Sequence, residues 1–196
     1  FVCIHVYQDA HINLAIDAGV KCIEHGFLMS EKTMRRMARE GVVLSAQSYM
    51  SYVAFLDPAG IPGFGPEQVA KGIAVNKGAD QMFAWAAEHE VDMFSGADVY
   101  TYDLLPKAIL NVTTLERWFT PVQALKAATS TAGEWLMKTG PKNPYKEAQL
   151  GTLAEGSYAD VILVDGNPLD GLDVLVDYED TIDYVMVDGH VYVDNL

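Results

Sequence analysis

The sequence predicts an α/β fold in which short buried strands alternate with helices, followed by a small antiparallel β unit. Three observations support this prediction. Apolar strand-like runs alternate with amphipathic segments as far as Ala128, and the strand-like runs are continuously apolar, as in parallel strands covered on both faces. The last 50 or so residues instead carry a turn cluster and a hairpin signal. The alternating part fits half of a (β/α)8 barrel or an open doubly wound sheet.

The alternating elements are predicted from apolar spacing and from helix-ending residues. In chain order they are strands at 1–4, 20–24, 42–46 and 91–94, and helices at 9–18, 31–40, 66–89, 107–118 and 121–128. Ser30 is expected to cap the second helix, and Thr120 with Gln123 forms a capping box for the last. A loop at 48–66 is unusually long, which is typical of functional lids or disordered segments. The first strand carries no glycine-rich phosphate loop, which a nucleotide-binding sheet would have.

The tail is predicted to form a small antiparallel unit. Residues 158–164 are strand-like and end at the turn cluster Asp165–Pro168. Two further strands, 183–187 and 191–193, flank Asp188-Gly189, a dipeptide that strongly favours a hairpin.

The charge distribution changes near Lys146. The 196 residues include 13 Lys and Arg against 27 Asp and Glu, and the net charge of −14 argues against a nucleic-acid partner. None of the last 50 residues is Lys or Arg, whereas 12 are Asp or Glu. We therefore predict a boundary that separates 1–146 from 147–196. The apolar runs are far shorter than the ~20 residues of a membrane helix, so no membrane partner is expected.

The two cysteines, Cys3 and Cys22, each lie inside an apolar run. Two cysteines do not make a disulfide scaffold in a chain of this length, so both are expected to be reduced core residues in a cytoplasmic protein. The strand-like run that starts at Phe1, with no leader sequence before it, leads us to expect that a preceding segment is missing.

Three polar residues are predicted to lie where strands of the alternating part end. His5 and His25 follow the first and second strands, and Asp98 follows the fourth. Strand ends of this kind form the active site of βα barrels, and imidazole and carboxylate groups are suitable ligands for Zn²⁺ and similar cations. Alternatively, a lone histidine after a strand is satisfied by the backbone, and Asp98 caps a helix or forms a turn. Tyr100, Tyr102 and Asp103 are expected at the same face as Asp98.

The motifs around these residues resemble those of a known superfamily. The segments are Ile4-His5-Val6-Tyr7, Ile23-Glu24-His25-Gly26, Gly96-Ala97-Asp98, Leu150 to Asp160, Asp165 to Leu169, and Val185 to Gly189. In this order they resemble the fifth, sixth and eighth strands of the amidohydrolase barrel and the strands that return to its small β-sandwich. The similarity is greatest to the imidazolonepropionase-like and Xaa-Pro dipeptidase-like groups, and it covers essentially the whole chain.

The resemblance implies a fold and a chemistry. Residues 1–146 would be the C-terminal half of a (β/α)8 TIM-type barrel, and 147–196 would be the C-terminal strands of the β-sandwich. The family holds one or two divalent metal ions, here expected to be Zn²⁺, and a metal-activated hydroxide attacks an amide such as that of a dipeptide or an N-acyl amino acid.

The resemblance also implies roles for individual residues. His5 and His25 would bind one metal ion, whereas Asp98 would bind the other and act as general base and then general acid. Tyr7 would contact the carboxylate of a small-molecule substrate.

The sequence also departs from the family pattern. The first-strand His-x-His pair and the strand-four lysine are absent, so this chain is expected to carry only part of the site. The remaining histidines, at 11, 89 and 190, are interpreted as surface or structural residues. The alternative is a catalytically inactive half-barrel that forms a homo-oligomer or complements a separate N-terminal half.

Overall fold

The computed structural model describes residues 1–99 and 102–196. The strands are β1 (Cys3–Gln8), β2 (Cys22–Leu28), β3 (Val43–Ala46), β4 (Met93–Ser95), β5 (Val161–Val164), β6 (Ile182–Val187) and β7 (His190–Asp194). The α-helices are α1 (Asp9–Asp17), α2 (Glu31–Glu40), α3 (Pro66–Glu88), α4 (Leu110–Thr113), α5 (Pro121–Ala128), α6 (Ser130–Met137) and α7 (Tyr178–Thr181). No helix in the described ranges is both long enough and apolar enough to cross a membrane.

Strands β1 to β4 form one parallel sheet, which confirms the predicted α/β fold. Their order in the sheet is the same as their order in the chain. A doubly wound sheet would reverse its strand order at a switch point, and these four strands do not. Because all four run in the same direction, their carboxyl ends lie at one edge of the sheet.

The main core lies between this sheet and the helices packed against it. Ile12 of α1, Met34 of α2 and Phe83 of α3 are fully buried against Ile23 and Leu44 of the sheet. Helix α3 approaches the sheet closely at Gly78, because a Cβ atom there would collide with the carbonyl oxygen of Phe27. Any larger residue at this position would push the helix away from the strand that carries His25.

Strands β1 and β2 extend beyond their predicted ends. The sequence predicted that they end before His5 and His25, but these residues lie inside the strands. The apolar run ends earlier than the strand because polar side chains on the uncovered face do not interrupt backbone pairing. The placement of these histidines after the strand ends was therefore wrong by a few residues.

The predicted continuous helix over 107–118 was also wrong. This region contains 3₁₀ turns at Tyr102–Lys107 and Thr114–Arg117, with only the short α4 between them. Long-range hydrogen bonds occupy the side chain and the carbonyl of Asn111, which accept from the backbone N–H of Tyr49 and from the Ser48 hydroxyl. The spacing of apolar residues carries no information on such contacts.

The predicted loop at 48–66 is also partly structured, with a π-helical turn over Tyr49–Val53 and a 3₁₀ turn over Pro58–Gly60.

The two cysteines form a disulfide, so the prediction of two reduced thiols was wrong. Cys3 of β1 lies directly opposite Cys22 of β2, with their Cα atoms 4.4 Å apart. Their separation of 19 residues along the chain gave no sign of this pairing, which depends on the strand register. The expected cytoplasmic location, which relied on reduced cysteines, loses that support.

The tail forms a three-stranded antiparallel sheet in the order β5-β6-β7, as predicted. The turn between β6 and β7 has Asp188 and Gly189 in the left-handed region, at φ 49° and 75°. Both positive φ angles match the two-residue hairpin that this dipeptide favours. The proposed boundary near residue 146 stays a prediction.

Removal of the α5 cap is expected to cost about 1 kcal/mol of unfolding free energy. The Thr120 hydroxyl accepts from the N–H of Gln123, and the Gln123 side chain accepts in return from the N–H of Thr120. Thr120→Ala leaves one of these N–H groups without its partner, whereas Thr120→Ser keeps the hydroxyl. Chemical denaturation should give wild type and Thr120→Ser the same free energy of unfolding, and Thr120→Ala a lower one. Equal stability of all three would show that the cap contributes nothing.

Candidate active site

One face of β1 carries His5 and Tyr7. Side chains alternate along a strand, so Ile4 and Val6 point toward the helices, and Val6 is buried in the core. Cys3, His5 and Tyr7 therefore lie together on the opposite face. On this face His5 is exposed and Tyr7 is half-buried.

His25 reaches the same face through a bulge in β2. It pairs with Val6, so regular alternation would direct its side chain toward the helices. Instead, His25 and Gly26 both adopt left-handed backbone, at φ 71° and 69°, and the register slips between Val6 and Gln8. A bulge re-aims a side chain in this way, and positive φ at a non-glycine residue stores strain. The imidazole of His25 consequently lies 4.4 Å from that of His5 and 5.2 Å from the Tyr7 ring, measured between ring centroids.

Gln47, directly after β3, orients the His25 ring. Its Oε1 lies 2.7 Å from Nδ1 of His25, and both side chains are buried. An amide oxygen only accepts, so Nδ1 carries the proton and Nε2 keeps a free lone pair. Gly96 leaves room for this contact, since a Cβ atom there would approach Gln47 Nε2 to 2.6 Å.

Asp98 lies at the same edge of the sheet, three residues after the end of β4. Together with Tyr7, His25 and Gln47 it lines a pocket of about 110 Å³. Its backbone is left-handed, at φ 48°, and the preceding carbonyl of Ala97 accepts a hydrogen bond from the Asn111 side chain at 3.3 Å. Tyr100, which the sequence placed at this face, is outside the described residues.

The electrostatic surroundings keep His25 and Tyr7 uncharged. Burial lowers the pKa of His25, and His5 lowers it further, against the opposing effects of the Gln47 hydrogen bond, Asp98 and Glu24. Burial raises the pKa of Tyr7, and the Asp98 carboxylate adds to this. At neutral pH the site therefore offers a neutral imidazole and a protonated phenol, which are a metal ligand and a hydrogen-bond donor.

These donors fit a divalent metal ion in their chemistry. Two adjacent imidazoles, one with its Nε2 free, and a nearby carboxylate are a common set for Zn²⁺. Within the described residues, the groups of three His, Cys, Asp or Glu whose ligand atoms all lie within 4.8 Å are Cys3–Cys22–Glu24 and Glu31–Glu88–His89. The ligand atoms of His5, His25 and Asp98 do not all lie within that distance of one another. The structure thus places His25 and Asp98 in one pocket, with His5 against the His25 ring, without closing the three side chains around a point.

Other residues of the pocket were missed or only partly predicted. Phe27, Met50, Ser51 and Phe55 also line it, and the last three belong to the loop that the sequence marked as unusually long. Gln47 could have been found by the rule that identified Asp98, since it is a polar residue that directly follows a buried strand. The contact of Gln47 with His25 could not have been predicted, because this hydrogen bond joins residues that are 22 positions apart.

The fold and the site define the class of protein. The chain belongs to the amidohydrolase family, whose family model matches residues 1–192. The ochratoxinase of Aspergillus niger is 32% identical over 174 residues, which is 88% of this chain and 34% of that protein.

Solved structures give the same assignment. A prolidase complexed with N-methylphosphonate-L-proline matches with a TM-score of 0.81 and 27% identity, over 99% of this chain and 45% of that one. A Xaa-Pro dipeptidase with bound methionine in its active site matches with a TM-score of 0.77 and 27% identity, over 98% and 45% respectively. The chain therefore spans about a third of the ochratoxinase and less than half of these solved structures.

Proposed function

We propose that this chain supplies part of the active site of a metal-dependent hydrolase of C–N bonds, with a dipeptide or an N-acyl amino acid as substrate. The observation that carries the proposal is the pairing of His5 with a re-aimed His25 beside a pocket that Tyr7 and Asp98 also line. The similarity to proteins described as prolidase and Xaa-Pro dipeptidase supports the substrate class.

His5 and His25 would hold a divalent ion, with Zn²⁺ the expected one, and Asp98 would hold a second ion where two are bound. Such an ion, when bound, lowers the pKa of water and polarises a carbonyl. The other work is done by side chains of this chain. The Asp98 carboxylate takes a proton from the attacking water and returns it to the leaving nitrogen. The Tyr7 hydroxyl donates a hydrogen bond to the substrate carboxylate. Phe27 and Phe55 give the pocket apolar walls.

We further propose that the parallel sheet is the second half of a (β/α)8 barrel. Within the described residues, β1 and β4 each pair with one neighbour only, so each leaves an edge that another strand can join. The 196 residues contain no His-x-His, and three ligands are too few for two metal ions. The remaining ligands would come from elsewhere in a longer protein or from a separate N-terminal half. The competing proposal is an inactive half-barrel that pairs with a second copy through the same edges.

The proposal is tested by a Zn²⁺ titration and a hydrolysis assay on the metal-stripped 196-residue chain without reductant. We expect one Zn²⁺ per chain, bound through His5 and His25, and hydrolysis of an Xaa-Pro dipeptide no faster than with free Zn²⁺. Turnover above that background would contradict the incomplete site but support the hydrolase. Absence of Zn²⁺ binding that depends on these histidines would overturn the proposal.

The orienting role of Gln47 gives a separate prediction. Loss of a hydrogen-bond partner of a metal-binding histidine weakens metal affinity about 10- to 100-fold. Gln47→Leu should therefore weaken Zn²⁺ binding by that factor, because the His25 ring and its tautomer are no longer held. Gln47→Glu keeps an acceptor in the same place and should restore most of the affinity. Equal affinity of the leucine variant and wild type in calorimetry would remove Gln47 from the site.

A further inference from the structure

A second group of potential ligands lies on the same face of the sheet, nearer the amino ends of β1 and β2 than the histidines are. Cys3 and Cys22 are opposite each other in β1 and β2, and Glu24 pairs with His5. The sulfur atoms and a Glu24 carboxylate oxygen all lie within 4.8 Å of one another. We propose that reduction of the Cys3–Cys22 disulfide creates a binding site for a thiophilic divalent ion such as Zn²⁺ or Cd²⁺, formed by the two thiolates and Glu24.

The strands hold the three groups together in either redox state. The register Cys3↔Cys22 and His5↔Glu24 is maintained by the backbone ladder of β1 and β2, which does not depend on the S–S bond. A tetrahedral ion with Zn–S bonds of ~2.3 Å holds two sulfurs roughly 3.8 Å apart. Rotation about χ1 of Cys3 and Cys22 can supply this separation while the strands stay paired. Two thiolates and a carboxylate would leave a fourth position for water.

The surroundings suit a buried sulfur with one accessible side. Cys22 is fully buried and belongs to a small cluster with Val43 and Trp135, against which Phe94 packs. Cys3 is exposed and Glu24 is half-buried, so an ion can approach from their side. Soft thiolate ligands select Zn²⁺ and heavier thiophilic ions over Mg²⁺ and Ca²⁺. Its thiolate ligands make this site chemically different from the pair of His5 and His25.

Opening the site takes a two-electron reduction, for which the reductant would be a dithiol. One of its thiolates attacks the sulfur of the exposed Cys3, which forms a mixed disulfide and releases Cys22 as a thiolate. The second thiol of the reductant, once deprotonated, displaces Cys3 and closes the reductant's own disulfide. Two electrons and two protons pass from the dithiol to the cysteine pair. Binding of the metal ion then releases the two thiol protons.

Co²⁺ binding can test the proposal on the full chain. The background variant carries His5→Ala and His25→Asn, so that the histidine pair cannot contribute. After reduction with dithiothreitol and anaerobic desalting, we expect one Co²⁺ per chain with thiolate-to-metal charge-transfer absorption, displaced by Zn²⁺ or Cd²⁺. The oxidised chain should show no such band. Cys22→Ala should abolish it. Glu24→Gln exchanges a carboxylate ligand for a weaker amide oxygen and should weaken Co²⁺ binding by at least about 10-fold, the lower end of the effect of losing an outer partner.

Two results would overturn the proposal: a reduced chain without the charge-transfer band, or a band that persists in Cys22→Ala. If Cys22→Ala does not fold, the proposal is decided by alkylation of the reduced background variant, which carries His5→Ala and His25→Asn and keeps both cysteines. Zn²⁺ should then slow the reaction of both cysteines with iodoacetamide, and an unchanged rate would exclude the site. The outcome is independent of the hydrolase proposal, whose titration uses the oxidised chain and relies on the histidines.

Discussion

His25→Asn should weaken Zn²⁺ binding by more than about 100-fold in the oxidised chain, beyond the 10- to 100-fold effect of losing an outer partner. The change removes an imidazole that lies 4.4 Å from that of His5, measured between ring centroids. Asparagine is chosen because it tolerates the left-handed backbone at this position, φ 71°, better than alanine does. The measurement is calorimetric titration of the metal-stripped chain with Zn²⁺.

Two comparisons make this result specific. His11→Asn alters an exposed histidine of α1 and should leave Zn²⁺ affinity unchanged. Thermal melting of both variants without metal separates loss of a ligand from loss of structure. A His25→Asn variant that binds Zn²⁺ as tightly as His11→Asn would show that the histidine pair does not hold the ion.

Phe83→Ala should lower the free energy of unfolding by about 3–5 kcal/mol, the usual cost of removing a fully buried aromatic ring. Phe83 is fully buried in α3, and its ring stacks on the Trp118 indole at a centroid distance of 4.6 Å. The substitution leaves a cavity between α3 and the segment after β4. In a chain of this size each kcal/mol shifts the melting temperature by about 2–4 °C, so a fall of roughly 6–20 °C is expected.

The size of the side chain can be separated from its aromatic character. Phe83→Leu fills most of the volume and should cost clearly less than Phe83→Ala. Tyr102→Ala removes an aromatic ring that is 91% exposed and should not change the melting temperature. If Phe83→Ala melts at the temperature of Tyr102→Ala, the core described around α3 is incorrect.

The order of elements was readable from the sequence because its signals are local. Thr120 and Gln123 are three residues apart, and each bonds the backbone of the other. Asp188-Gly189 supplies two positive φ angles to one turn. Apolar spacing likewise indicated α1 to α3, whose buried faces depend on positions three or four residues apart. The position of His5, His25 and Asp98 after predicted strands, together with the motifs around them, identified these residues as candidates for one site.

Tertiary structure decided how these candidates meet. The bulge at His25 was not predicted, although Gly26 inside β2 is a residue typical of bulges. Without the bulge the imidazole would point into the core, because His25 pairs with Val6. The helix predicted over 107–118 fails for a similar reason. Asn111 bonds to Ser48 and Tyr49, more than 60 residues earlier in the chain, and periodicity carries no information on such a partner.

The sequence by itself therefore determined the alternation of strands and helices, the caps and turns, and the family to which the chain belongs. Only the tertiary structure decided the pairing of Cys3 with Cys22, the contact of His25 with Gln47 and the side of the sheet that His25 faces. The physical reason is range: propensity and capping act within a few residues. Strand register and bulges depend instead on contacts between segments that are distant along the chain.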